Sequence, residues 1–167
     1  IVGYTNAGKT TLINRLTGAE LLAENKLFAT LESATRQLPL DTKPDLLVSD
    51  TVGFIRNLPH NLIASFRSTL SVVREADLLL HVVDASSENI EQHIETTEQV
   101  LNEIDAGKVP RMLVLNKMDQ VEEEMDRMIL IKTYPESIAV SALDDEKVEI
   151  LKACVREHFA RNFVREC

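Results

Sequence analysis

A doubly wound α/β sheet, mostly parallel and with helices on both faces, is the fold class that this sequence predicts, and three observations predict it. Short β-rich apolar runs recur over residues 46–49, 78–84, 112–115 and 138–140. None alternates in the manner of a half-exposed strand, so all read as buried on both faces and hence parallel. Segments of helical period lie between them. In such a fold ligands gather at the carboxyl ends of the strands, which is where the unusual residues of this chain fall.

Taken in order, Ile1 and Val2 open a first strand that runs into a glycine-bounded loop, and a helix begins near Lys9. The run from Leu46 to Ser49 ends at Asp50, and that from Leu78 ends at Asp84. Ile90, Ile94, Thr97, Leu101 and Ile104 then recur at helical spacing. Met112 to Leu115 leads into Asn116, and the acidic stretch Glu122 to Asp126 reads as a solvated helix start, where carboxylates meet the positive dipole end. Ile138 to Val140 leads into Ser141. Val148, Leu151, Val155, Phe159 and Phe163 mark a last helix, on which Cys154 is expected to pack. Gly and Pro number only five each and are scattered, so a single domain over 1–167 is expected.

Composition narrows the function classes. With 44% apolar and 27% charged residues the chain is an ordinary globular one, and no apolar run approaches the ~20 residues that span a bilayer, so a soluble protein without membrane insertion is expected. Cys154 and Cys167 have no histidine at ligand spacing, which fits a reducing cytosol better than a disulfide framework or a zinc site. A net charge of −9 opposes unaided binding to DNA or other nucleic acid. Residues 54–74 nevertheless hold no Asp or Glu but carry Arg56, Arg67 and Arg74, as either a solvated helix face or a partner-binding face would. The start at Ile1, inside a strand and without Met, suggests a domain excised from a longer protein whose amino-terminal domains are absent. Nothing calls for more than a monomer.

The stretch GYTNAGKTT places Gly3, four residues, then Gly8, Lys9 and Thr10, the spacing of a phosphate-binding loop. Its glycines let successive N–H groups curl inward onto phosphate oxygens, and the following helix adds its dipole. Gly3, Asn6, Ala7, Gly8, Lys9, Thr10 and Thr11 are therefore the candidate phosphate-binding residues, with Lys9 carrying its charge to the β- and γ-phosphates. Thr10 and Asp50 would hold a Mg²⁺ ion from opposite sides, and Gly53 would offer its N–H to the γ-phosphate. A chance glycine turn is the plainer reading, and the strand before and helix after count against it.

LNKMD, residues 115–119, supplies a base reader. The Asp119 carboxylate can accept paired hydrogen bonds from guanine N1–H and the exocyclic N2 amine, whereas adenine offers an acceptor at N1 and no amine at C2. Asn116 can bond the base edge or steady the phosphate loop, and the stem of Lys117 can lie along the base. Ser141 and Ala142 end the last strand, where the Ala142 N–H could meet guanine O6.

Phosphate loop, DxxG, NKxD and terminal SA, in this order, resemble a translation-factor-class GTPase domain, which implies a small-GTPase-like P-loop NTPase fold. GYTNAGKTT, KLFATLESATR and DTVGFIRNLPHNLIASFRSTL resemble, more narrowly, the HflX family of ribosome-associated GTPases. That resemblance implies GTP or GDP and Mg²⁺ as ligands, a cytoplasmic location, and association with the large ribosomal subunit in rescue or splitting of stalled ribosomes. By motif position Thr30 would be the first-switch threonine sensing Mg²⁺ and the γ-phosphate, with Thr35 competing; Lys9, Thr30 and Gly53 would then carry catalysis and Thr10, Thr30 and Asp50 the metal. LESATR stands where the family usually has Asp-Pro-Thr-Thr-Arg, and SALDDEK lacks a glycine that often follows the last motif.

Many relatives of this fold place a water-orienting glutamine directly after DxxG, whereas this chain has Phe54. Phenylalanine has no donor or acceptor, so slow intrinsic hydrolysis is expected, accelerated by a group delivered from elsewhere, which can be worth ~10³ to 10⁵ in rate. On this reading Phe54→Ala leaves the basal rate unchanged. Alternatively Phe54 points into the core beside Ile55 or Leu58, and Arg56 or His60 positions the water. His81 reads as a core residue, and His93 and His158 lie on helices without a metal-spaced partner. A module that binds GTP or GDP without useful turnover, and a related GTPase acting on another RNA or a membrane surface, are the alternatives.

Overall fold

The computed structural model describes residues 1–18, 35–40, 42, 45–51, 53–54 and 71–163. Its strands are β1 (Thr35–Leu38), β2 (Leu46–Ser49), β3 (Leu79–Asp84), β4 (Arg111–Asn116) and β5 (Ile138–Ala139), and its helices α1 (Lys9–Thr17), α2 (Ile90–Glu103), α3 (Glu124–Thr133) and α4 (Asp145–Phe163). Thr30, Ile55, Arg56, Leu58, His60, Arg67 and Cys167 lie outside the described residues.

β3, β4 and β5 are parallel, with Asp84 opposite Asn116 at their carboxyl ends. The segment from Ile1 to Tyr4 joins them to the other strands. On one side Val2 bonds to Leu80 and Val82 at 2.9 and 2.8 Å. On the other, Ile1 donates to the Ser49 carbonyl at 2.7 Å, and Gly3 and Thr5 exchange bonds with Phe54. Neighbouring residues go to opposite faces, as the pleat requires. Ile1, Leu80 and Val82 pack with Leu12, Leu16, Leu151 and Val155 of α1 and α4. Val2 and Leu79 pack with Val100 and Leu101 of α2. Helices thus cover both faces, as the doubly wound expectation held.

The expectation for residues 46–49 is corrected. β2 pairs antiparallel with β1 and alternates, with Leu46 and Val48 buried but Leu47 68% exposed. The short run TRQL of β1 has only Leu38 buried, so apolar continuity could not announce it. The segment 112–115 is buried towards its end only, and β5 is half-buried, with the following Val140 fully buried. Val148, Leu151 and Val155 of α4 face the core as expected, Cys154 is half-buried, and α3 begins among Glu124 and Asp126. Among the described residues no helix is long and apolar enough to cross a membrane.

Candidate functional site

The phosphate loop leaves the Ile1–Tyr4 segment and closes on α1. Gly3 is obligatory: a Cβ there would lie 2.1 Å from the Val82 carbonyl oxygen. Asn6, at φ 61°, takes the left-handed conformation that asparagine tolerates better than most residues. Gly8 caps α1 at φ 89°, and no acidic side chain occupies the first turn of the helix, so its N–H groups keep their positive end for an anion. Thr11, in that turn, is half-buried and Ala7 is buried.

Lys9 is buried, and its ammonium donates to the Tyr4 carbonyl at 3.1 Å. Burial pushes its pKa down to about 8, against the opposing pull of Asp50. An arriving polyphosphate favours the charged form, so nucleotide binding carries a proton with it above that value. GDP affinity is expected to hold steady below pH 7 and to weaken about tenfold per pH unit beyond 8. Titration calorimetry between pH 7 and 9.5 checks this; a flat profile would remove Lys9 from the anion contact.

Thr10 donates its hydroxyl to Asp50 Oδ2 at 2.9 Å, and the buried Asp50 accepts the Thr51 N–H on its other oxygen. Thr51 in turn donates its hydroxyl to the Ile1 carbonyl at 2.6 Å, pinning Asp50 beside the first strand. Hydroxyl and carboxylate are the hard oxygen donors that Mg²⁺ takes, so the pair fits such an ion. Gly53 packs against the loop, where an added Cβ would come within 3.1 Å of Lys9 Nζ. Thr35, opposite Ser49 in the β1–β2 ladder, shares a 2.6 Å hydrogen bond with the Ser49 hydroxyl.

Asn116 decides between its two expected roles. Its Nδ2 donates to the Ala7 carbonyl at 2.9 Å and its Oδ1 accepts the Ala142 N–H at 3.0 Å, so this one amide ties the phosphate loop to the last turn. The Ala142 N–H is therefore already engaged, and meeting guanine O6 would require it to share or exchange that bond. Ser141 is buried and its hydroxyl accepts the Leu143 N–H at 3.2 Å. Lys117 stands at φ 63° and Asp119 is exposed on a short 3₁₀ turn beyond it.

Three features went unread in the sequence. Asp84 ends β3 and accepts the Lys117 ammonium at 2.7 Å, the same strand-end signal that singled out Asp50. Burial raises its pKa, but hydrogen bonds from Lys117 and Ser86 outweigh that and hold the carboxyl below its ordinary range. Tyr4 stacks on His93 of α2 with ring centroids 4.0 Å apart. His81 is a core residue as expected, yet among the described residues its Nε2 has no hydrogen-bond partner, and burial first, then Arg111 and Lys9, push its pKa down to about 4.

Phe54 is 2% exposed and packs among Val2, Val73, Leu79, Val100 and Leu101. It points into the core, away from the face on which Gly53 meets Lys9. Packing therefore accounts for its identity, as the alternative core reading of Phe54 had it.

Comparison with known proteins agrees with this geometry. A family model described as "50S ribosome-binding GTPase" matches residues 1–117. The chain is 49% identical over 166 residues to the GTPase HflX of Gluconacetobacter diazotrophicus, covering 99% of this chain and 37% of that protein. It is 49% identical over 158 residues to the GTPase HflX of Alkalihalophilus pseudofirmus, covering 94% and 36%. A solved complex of SsGBP with GDP superposes with a TM-score of 0.68 at 28% identity, covering 96% of this chain and 48% of that one. The chain thus spans just over a third of the curated relatives' length. A phosphate loop locked by Asn116 to the last strand end, on a sheet of this order and with these relatives, places the chain in the 50S ribosome-binding GTPase family, to which it belongs as a GTPase domain of the HflX type.

Proposed function

We propose that this chain is the GTP-binding and GTP-hydrolysing switch domain of a cytoplasmic, ribosome-associated factor that acts as a monomer on the large ribosomal subunit, in rescue or splitting of stalled ribosomes. One observation carries the nucleotide part: the Asn116 amide joins the phosphate loop to the base-side turn, so phosphate and base contacts form a single rigid unit. The ribosomal part is supported by the family description and by likeness to HflX proteins.

Gly3, Asn6, Ala7, Gly8 and Thr11 cradle the phosphates through the backbone and the start of α1, and Lys9 sets a full charge against the β- and γ-oxygens. Asp119 selects guanine, with Lys117 along the base and Ser141 and Ala142 closing the O6 side. Thr10 and Asp50, joined by Thr30, would hold Mg²⁺, which supplies charge neutralisation on the β- and γ-phosphates when bound. Gly53 offers its N–H to the γ-phosphate, and with Thr30 reports the loss of that group after hydrolysis. The residue after Gly53 is buried and apolar and so brings nothing to the attacking water. Intrinsic turnover is therefore slow, and a partner accelerates it.

GTP turnover by the chain with and without purified large ribosomal subunits tests the proposal. Stimulation on the order of 10³ or more is expected. Slow turnover that the subunits do not change would move ribosome recognition off this domain. Absence of phosphate release under both conditions would leave a nucleotide-binding module and sink the hydrolytic reading.

A further inference from the structure

We propose that Asp84 is a positioning residue for nucleotide binding, which fixes the Lys117 side chain across the phosphate loop so that its alkyl stem is already in place for the guanine face. The inference rests on the nucleotide site proposed above and adds a residue that none of its motifs contains.

Asp84 and Asn116 stand opposite each other at the carboxyl ends of β3 and β4, and the Ala85 N–H donates to the Asn116 carbonyl at 2.8 Å. Lys117, the next residue, has a left-handed backbone, so its side chain leaves the strand end at a defined angle. It passes close to Gly8: a Cβ there would lie 3.8 Å from Lys117 Cε. Its ammonium then meets Asp84 Oδ2 at 2.7 Å, with the two side chains 26% and 20% exposed. Asp84 is itself held, because Oδ1 accepts both the hydroxyl and the N–H of Ser86, at 2.6 and 3.0 Å. Both ends of the lysine stem are thus anchored, one by backbone and one by a carboxylate that cannot turn away.

A free lysine has several rotors to freeze when it packs on a ligand, and freezing them weakens binding. Here Asp84 has frozen them beforehand. Charge alone predicts the reverse effect. A carboxylate near a polyphosphate repels it, and without Asp84 the Lys117 ammonium would be free to turn toward the anion. Loss of the carboxylate would on that ground tighten binding.

Asp84→Asn keeps the shape and removes the charge. Its Kd for a ribose-labelled fluorescent GDP is expected to rise about tenfold. Unlabelled GDP and IDP, measured by competition, are expected to weaken by the same factor, because the lysine stem meets the ring face and not the exocyclic amine. The single-turnover rate at saturating GTP is expected to stay within about twofold of the parent, and Asp84→Glu to recover part of the affinity. In a Lys117→Met background the same substitution should change nothing. An unchanged or tighter Kd in Asp84→Asn, or an equal loss in the Lys117→Met background, would overturn the inference. A parent chain that binds ADP as well as GDP would instead overturn the base site, and this inference with it.

Discussion

Phe54→Ala is expected to destabilise the domain by about 3–5 kcal/mol, the cost of emptying a well-packed aromatic site. For a domain of this size that lowers the thermal midpoint by roughly 6–20 °C. The ring lies in the core formed by Val2, Leu79 and the buried side of α2, while its backbone N–H and carbonyl pair with Gly3 and Thr5 of the phosphate loop. Adjacent residues of an extended chain face opposite ways, so the side that buries Phe54 is what turns Gly53 toward Lys9. Loss of the ring therefore loosens Gly53 as well, and basal turnover should fall with stability. Phe54→Leu is expected to retain most of both. Phe54→Gln should not accelerate hydrolysis, because its amide would be buried in the core without a partner. Thermal melts and basal turnover of the three variants check this; a Gln variant that folds well and turns over faster would show that the side chain reaches the phosphate site.

Gly8→Ala is expected to weaken guanine-nucleotide binding by at least about 30-fold. Two costs meet at this residue. Its φ of 89° is strained for any residue with a Cβ, by about 1–2 kcal/mol, and that Cβ would lie 2.4 Å from Asn116 Nδ2. Asn116 must then give way, and its bonds to Ala7 and Ala142 are each worth about 0.5–1.5 kcal/mol. The strained loop relaxes in the free protein, and the ligand must restore it on binding; at 1.4 kcal/mol per tenfold the sum, about 2–5 kcal/mol, corresponds to roughly 30-fold to a few thousand-fold. Gly18→Ala is the control. Gly18 also has a positive φ, at 69°, but among the described residues nothing lies within 4 Å of an added Cβ. It should lower stability by about 1–2 kcal/mol and leave the Kd for GDP unchanged. Equal affinities for Gly8→Ala and the parent would remove the steric argument.

Much of the site was legible because it is local. The spacing of Gly3, Gly8, Lys9 and Thr10 specifies a loop whose geometry depends on a few consecutive dihedrals, and the structure builds it with the φ values such a loop needs. The same holds for Asn116 to Asp119, where a strand end and a tight turn suffice. Buried runs such as Leu79–Asp84 were readable from their composition. The antiparallel β1–β2 pair was not, since a four-residue strand at half burial carries almost no periodic signal.

What the sequence determined by itself was the set of chemical groups and the ends of the elements on which they sit: the phosphate loop, Asp50, Asn116, Lys117, Asp119 and the alternation of strand and helix. Which way each side chain turns was decided only by the tertiary structure. Phe54 faces the core because its extended backbone bridges to Tyr4 in one register and not its neighbour. Asn116 spans to Ala7, 109 residues away, and Lys117 finds Asp84 on the adjacent strand, 33 residues back. Orientation follows from the pleat and the pairing register, and both are set by contacts between distant segments that no local pattern encodes.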